Sequence, residues 1–462
     1  MQSKVTAGRW GALITGAGLY GVALILMALT TPSGVTRESI AIALPDGRPS
    51  LGTIWRPAGE PKAVMIMGHG VTSNQGVMAT VAKAFAANGY ETITLDFFGH
   101  GRSREPFDWT ATPSQVTAWI EWAETEYAGM PLAYLGHSMG GFAGSSALSE
   151  MDNEVAFVSL GAMPRGDNWP SGPILIALGQ FEQLFSPEQA RARAEQAPEG
   201  NASVLVSPWS DHALETWDPI LIGGMVDWVD GALGLPQDSA FPWGRWLLLM
   251  LALPLGIGAI LVVATTLTAQ IREPLSDAPT RTERRSWSVN PYRLTARLLG
   301  QRGVASRPVA GGIGAALRRG LLFAFLCVLL LSFLLSTDMF TSGLDHPQRL
   351  VRWLLLAIIG ALVFLLDAHA IESVPHSSHW RRFAVTALTR VVPILAFAIV
   401  LYLPVVGMAF GGMMVGIFAF LGLMLAIVHT LATRATNDYR AAAIASAVIF
   451  TWVIAFWFPL AG

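Results

Sequence analysis

An α/β domain built on a mainly parallel sheet, joined to an all-α bundle of about seven transmembrane spans, is the architecture that the sequence predicts. Three observations predict it. The composition, 52% hydrophobic with only 13% charged residues over 462 positions, is too apolar for a wholly water-soluble chain. Between residues 31 and 242, short apolar runs alternate with gaps that can hold a helix, the pattern of a parallel sheet covered on both faces. Outside that region the chain consists largely of apolar stretches long enough to approach or exceed a bilayer core.

The first element is the apolar run from Gly11 to Leu29, preceded by Lys4 and Arg9. It is long for a signal-peptide core and lacks a clean Ala-x-Ala site after it, so residues 1–30 are expected to form an uncleaved anchor. Ser39 to Leu44 and Leu51 to Trp55 read as two strands joined through the turn Pro45-Asp46-Gly47. Further strands are expected at Ala63 to Met67, Thr92 to Leu95, Leu132 to Leu135, Val155 to Leu160, Ile174 to Leu178 and Ser203 to Val206. Residues 243–462 then form the C-terminal membrane domain. Its spans are expected at about 246–267, 321–335, 350–366, 383–403, 413–431 and 441–460, with Pro404, Gly407, Gly411 and Gly412 as a short connection.

The loop at 270–319 is basic, with ten arginines from Arg272 to Arg319 against Glu273, Asp277 and Glu283. Positive residues favour the cytoplasmic side, so this loop is expected inside and residues 31–242 outside. Arg381, Arg382, Arg434 and Arg440 agree with that orientation, whereas Arg349 and Arg352 oppose it. The loop is also a candidate contact for anionic membrane lipids. A net charge of -2 points to no nucleic-acid partner overall, and the single Cys327 excludes an intramolecular disulfide. Asp367, His369, Glu372, Arg390 and His429 fall within or near the spans, mostly close enough to an interface for their charges to reach water.

Chemistry concentrates at Leu132 to Ser145, where Gly136-His137-Ser138-Met139-Gly140 follows an apolar run and precedes a helix-compatible segment. This Gly-x-Ser-x-Gly pattern suits a sharp strand-to-helix turn that exposes the Ser138 hydroxyl. A serine hydroxyl is a poor nucleophile and needs a base, an acid to orient it, and donors for the developing oxyanion. His212, just beyond the 203–206 strand, is the expected base. His137 adjoins the serine and is expected to point away from it, and His100 lies too early in the chain. Glu182, at the end of the 174–178 strand, is the chosen acid, with Asp167 as the alternative one strand earlier; Asp211 is expected to be a loop carboxylate. The turn at Gly68-His69-Gly70-Val71 can present the Val71 N–H, which with the Met139 N–H makes a two-donor oxyanion hole.

With these residues in place, positions 35–232 resemble the α/β-hydrolase superfamily, near its dienelactone-hydrolase and monoacylglycerol-lipase-like members. The resemblance rests on His69-Gly70, on Asp96 to Ser103 (DFFGHGRS), on GHSMG at 136–140, and on Glu182 and His212 in that order. It implies an α/β-hydrolase fold, Ser138 as nucleophile, His212 as base, Val71 and Met139 as oxyanion donors, and structural roles for Asp96 and Arg102. The acid departs from the family's usual aspartate, and the short 160–173 connection leaves no room for the lid that many relatives insert.

The expected function is a membrane-integrated serine hydrolase cleaving an ester or thioester, with membrane lipids around it and a small acyl ester or lipid-like molecule as substrate. It requires no cofactor and no metal. Two other classes fit the sequence: a transporter or membrane assembly whose hydrolase-like domain only binds, and an acyltransferase using the same three residues.

Overall fold

The computed structural model describes residues 2–272, 290–301, 308–335, 347–401 and 409–457. The chain divides into two compact units. One comprises Leu26–Leu251 with Leu335–Arg349 and Phe456–Gly462; the other comprises Met1–Ile25, Ala252–Leu334 and Leu350–Ala455.

After the helix α1 (Gln2–Leu29), the first of these units is organised on eight strands: β1 (Thr36–Ala43), β2 (Pro49–Arg56), β3 (Ala63–Gly68), β4 (Tyr90–Asp96), β5 (Leu132–His137), β6 (Ala156–Leu160), β7 (Ile174–Gly179) and β8 (Ala202–Ser207). They lie in the order β1-β2-β4-β3-β5-β6-β7-β8. β1 pairs with β2, and β2 with β4, antiparallel; every other neighbouring pair is parallel. All eight runs expected to be strands are strands. The helices α2 (Ala79–Ala87), α3 (Thr112–Glu126), α4 (Met139–Leu148), α5 (Pro187–Ala194) and α6 (Pro219–Ala232) cover the sheet.

Successive residues on a strand point to opposite faces, so the continuous apolar strands feed two cores at once. Val64, Ile66, Ile174 and Ile176 join Trp119, Ile120, Ala143 and Ala190 from α3, α4 and α5. Met65, Met67, Leu175 and Ala177 join Val81, Phe85, Leu221 and Met225 from α2 and α6. With six strands parallel, their carboxyl ends share one sheet edge, and β3, β5, β7 and β8 deliver His69, Ser138, Glu182 and His212 to it.

The second unit contains α8 (Pro291–Leu298) and the long helices α9 (Ile313–Leu334), α11 (His379–Leu401), α12 (Ala409–Thr436) and α13 (Tyr439–Trp457), with most of α7 (Trp243–Gln270) and α10 (Pro347–Ile371). Six helices are long and apolar enough to cross a membrane: Gly8–Leu29, Trp243–Gln270, Ile313–Leu334, Pro347–Ile371, Val415–Thr436 and Tyr439–Phe456. This corrects the expected seven to six among the described residues. The remaining candidate, 383–403, lies on α11 but runs on beyond Leu401 to residues outside the described set, as does most of the short connection expected at 404–412. Much of the basic loop, including Arg281, Arg284, Arg285, Arg302 and Arg307, also lies outside it. Six such helices are consistent with an integral membrane protein.

Three acids in this unit, Glu372, Asp438 and Asp367, are paired with cationic side chains. Glu372 is fully enclosed and receives Arg382 at 2.7 Å and His429 at 3.2 Å, and Asp438 takes Arg319 at 3.3 Å and Arg440 at 2.8 Å. Asp367 pairs with Arg390 and accepts from the Tyr292 hydroxyl. Removing one partner would strand a buried charge, which makes these pairs costly to break.

A tight backbone constraint in the sheet unit lies at Gly136, where a Cβ would meet the Gly140 carbonyl at 2.2 Å. Gly136→Ala is expected to lower the stability of the full chain by about 3 kcal/mol or more, because both clashing partners are backbone. Gly59→Ala, where a Cβ would touch nothing within 4 Å, is the control and should be close to neutral. Equal thermal unfolding of the two variants would contradict the packing described.

Candidate active site

Ser138 stands between β5 and α4 with φ 52° and ψ -113°, one of two non-glycine residues with positive φ among the described residues. Such a conformation costs energy for a residue with a side chain and persists only where its surroundings enforce it. Here the Ser138 N–H donates to Leu160 O at 2.9 Å and its carbonyl accepts from the Phe142 N–H at 3.1 Å. The backbone passes so close to β3 that a Cβ on Gly140 would lie 2.4 Å from Gly68 O. The Tyr134 hydroxyl caps the Gly140 carbonyl at 2.9 Å.

His212 follows β8. Its Nδ1 lies 2.8 Å from Glu182 Oε2, and its N–H donates to Gln183 Oε1 at 3.1 Å. Glu182 turns back on β7, its own N–H donating to Gly179 O at 3.2 Å while Oε1 accepts from the Leu184 N–H at 2.6 Å. The two residues expected to act as base and acid are therefore in direct contact, both buried. Asp167, the alternative acid, is exposed. Asp211 accepts from the N–H groups of Ala213 and Leu214 at 3.1 Å each, a loop carboxylate as expected.

The turn expected to supply an oxyanion donor is held by two histidines. His69 Nε2 accepts from the Phe97 N–H at 3.1 Å, so its Nδ1 carries the proton and donates to Gly70 O at 2.8 Å. His100 Nε2 lies 2.5 Å from Val71 O. Gly70 abuts the nucleophile: a Cβ on it would lie 3.3 Å from the Ser138 Cβ. Val71 thus follows directly on the turn against Ser138, and Met139 is the first residue of α4, buried. Asp96 accepts from the Gln75 N–H at 3.0 Å, Gln75 Nε2 at 2.8 Å and the Arg102 N–H at 3.0 Å, the structural role foreseen for it.

Two residues depart from the sequence reading. His137 does turn from the serine, but toward the base: its Nε2 donates to His212 O at 3.1 Å and the two rings are 4.9 Å apart. It ties the segment carrying Ser138 to the segment carrying His212. Glu215, absent from the sequence reading, is completely buried, with Oε2 3.6 Å from His137 Nε2 and 4.0 Å from His212 Nδ1. The only signal for it was an acid three residues after the base. His137, His212 and Glu215 present ligand atoms within 4.8 Å of one another. A metal ion there would need lone pairs on both ring nitrogens. Those nitrogens instead face Glu182 and a backbone carbonyl as N–H donors.

Burial depresses the protonation of His69, His100 and His137, the last to about 3, with the neighbouring His212 adding to the effect. A folded-state value below the unfolded one means that the unfolded chain takes up protons first. The stabilisation is therefore complete above about pH 6.5 and is lost as pH falls below it. The full chain is expected to unfold more readily at pH 5 than at pH 7. His137→Gln, which removes one titrating ring, should flatten that dependence by about 1 kcal/mol per pH unit. Parallel profiles for the variant and the native chain would contradict the neutral, buried state of His137.

Comparison with known proteins gives three kinds of likeness. Residues 59–188 match the family described as Serine aminopeptidase, S33. The human monoglyceride lipase is 27% identical over 116 residues, 24% of this chain and 38% of the relative. The monoacylglycerol lipase of Mycolicibacterium smegmatis is 30% identical over 138 residues, 29% of this chain and 49% of the relative. The chain thus spans less than half the length of these curated relatives. Among solved structures, a cold-adapted esterase from an Arctic intertidal metagenomic library is similar at 21% identity and TM-score 0.36, over 44% of this chain and 96% of that one. An esterase of Pyrococcus furiosus is similar at 16% identity and TM-score 0.38, over 43% and 94%. The sheet order, the strained serine between β5 and α4 and the matched segment together give the sheet unit an α/β-hydrolase fold.

Proposed function

We propose that the chain is a membrane-integrated serine hydrolase that cleaves a carboxylic ester or thioester through an acyl-enzyme on Ser138. One observation carries this reading: a His212–Glu182 pair closed at 2.8 Å, on a segment that His137 ties to the strained Ser138 turn. The likeness to monoglyceride lipases and the six apolar helices support a lipid-derived acyl ester as substrate.

In this mechanism the Ser138 hydroxyl oxygen attacks the carbonyl carbon while its proton passes to His212 Nε2, and Glu182 holds the opposite nitrogen and offsets the imidazolium charge. The oxyanion is received by the N–H groups of Met139 and Val71. Collapse breaks the bond to the alcohol or thiol, which leaves with the proton from His212. Water then attacks the acyl-enzyme, giving its proton to His212, and Ser138 recovers its hydrogen as the acid is released. The hydrolase domain, residues 31–242, lies on the extracytoplasmic side of the membrane and the arginine-rich loop on the cytoplasmic side.

The native chain is expected to react with a fluorophosphonate probe, and Ser138→Ala to abolish labelling. Glu182→Gln should keep the fold and lower ester turnover about 10³–10⁴-fold, because the amide favours the wrong imidazole tautomer. Undiminished labelling of Ser138→Ala would refute the nucleophile. A reporter at residue 150 should be accessible from outside and one at residue 290 from inside; the reverse would refute the orientation.

A further inference from the structure

Glu215 is a buried ionisable group to which the Ser138–His212–Glu182 mechanism gives no role. Its Oε1 accepts from the Gly179 N–H at 2.9 Å. Its Oε2 faces His137 Nε2 at 3.6 Å, His212 Nδ1 at 4.0 Å and the Glu182 carboxylate, and accepts no hydrogen bond among the described residues. Asp211 is the other acid near enough to act on it. The space is made by Gly161 at φ 58°, where a Cβ would lie 2.1 Å from Oε2.

Two neighbouring carboxyls in an enclosed site do not both ionise without counter-donors, since their repulsion is poorly screened and each loses its hydration. The donors are unequally shared. Glu182 receives His212 Nδ1 at 2.8 Å and the Leu184 N–H at 2.6 Å. Glu215 receives one backbone N–H, and the nearest ring proton, on His137 Nε2, is directed to His212 O at 3.1 Å. The negative charge therefore belongs on Glu182 and a proton on Glu215. Burial and the Glu182 charge, in that order, hold the Glu215 carboxyl well above the usual carboxylate range.

We propose that Glu215 is a positioning residue, a neutral carboxylic acid whose Oε2–H donates to the Glu182 carboxylate and so fixes that carboxylate against His212. The proposal rests on the reading of Ser138 and His212 as nucleophile and base. The added donor makes Glu182 a weaker acceptor, limiting how far it favours the imidazolium, while Gly179 and Gly161 fix the geometry.

The test compares Glu215→Gln and Glu215→Leu in the full chain, using p-nitrophenyl butyrate hydrolysis and fluorophosphonate inactivation across pH. Glutamine keeps an acceptor for Gly179 and an N–H donor for Glu182, so its acid limb should coincide with the native one. Leucine removes the donor: kcat should fall on the order of 10–100-fold, as for other partners that orient a reactive histidine. KM should change little, and the acid limb should move upward. Thermal unfolding provides the second readout. A carboxyl whose folded-state value is raised loses stability as pH rises above the ordinary carboxylate range, because only the unfolded chain ionises it. Glu215→Gln should therefore gain stability over the native chain progressively from pH 5 to pH 8. A downward shift of the acid limb in Glu215→Gln, or a stability difference that does not vary with pH, would overturn the proposal. A native chain that fluorophosphonate leaves unlabelled would instead overturn the reading it rests on, and the pH dependence of stability would still decide the state of Glu215.

Discussion

The left-handed backbone of Ser138 is the constraint on which the rest of the sheet unit depends. A side chain at φ 52° is held there only if the strand before it and the helix after it are locked, and both are locked by absence of bulk. A methyl group on Gly136 or Gly140 would drive into backbone at 2.2 or 2.4 Å. These contacts join β5 to α4 and α4 to β3, the central strands of the sheet. The elbow is thus a joint of the core as well as the carrier of a hydroxyl, and its strain is offset by two apolar clusters on either face.

Around that joint the histidines divide the work by what their second nitrogen touches. His69 spends both nitrogens on backbone, joining the loop after β4 to the turn after β3. His100 reaches Val71 and Phe98, and His137 reaches the carbonyl of His212. Of these four, His212 alone hydrogen-bonds a carboxylate through a ring nitrogen. That difference in surroundings, rather than residue type, separates the proposed base from the other three rings. The same logic separates the acids: Asp96 is saturated by backbone and glutamine donors, Asp211 by its own turn, and Glu182 by the imidazole.

How much of this was legible in the chain can be argued residue by residue. The strands were legible because uninterrupted apolar runs bounded by turn residues leave few other readings. Ser138, Glu182 and His212 could be singled out because each lies on the segment leaving the carboxyl end of a strand, and parallel strands bring such segments to one edge. Asp167 met the same criterion and lies exposed, so spacing alone did not choose between the acids. Glu215 was not legible: an acid in the segment ALETW reads as a surface turn, and what buries it is the approach of Gly161 and Gly179 from distant strands. In the helical unit, hydropathy located the helices but not their polar pairing. Glu372 was expected near water, whereas Arg382 and His429 enclose it. Sequence separation of 57 residues between Glu372 and His429 hides that contact.

The central claim is that Ser138 carries an acyl group during turnover. The most direct measurement is mass spectrometry of the full chain, acid-quenched within milliseconds of mixing with p-nitrophenyl butyrate. The account predicts one butyryl group on the peptide containing Ser138, forming as p-nitrophenol is released and disappearing as substrate is exhausted. Turnover of the ester with that peptide unmodified throughout, or with the acyl group on another residue, would contradict it.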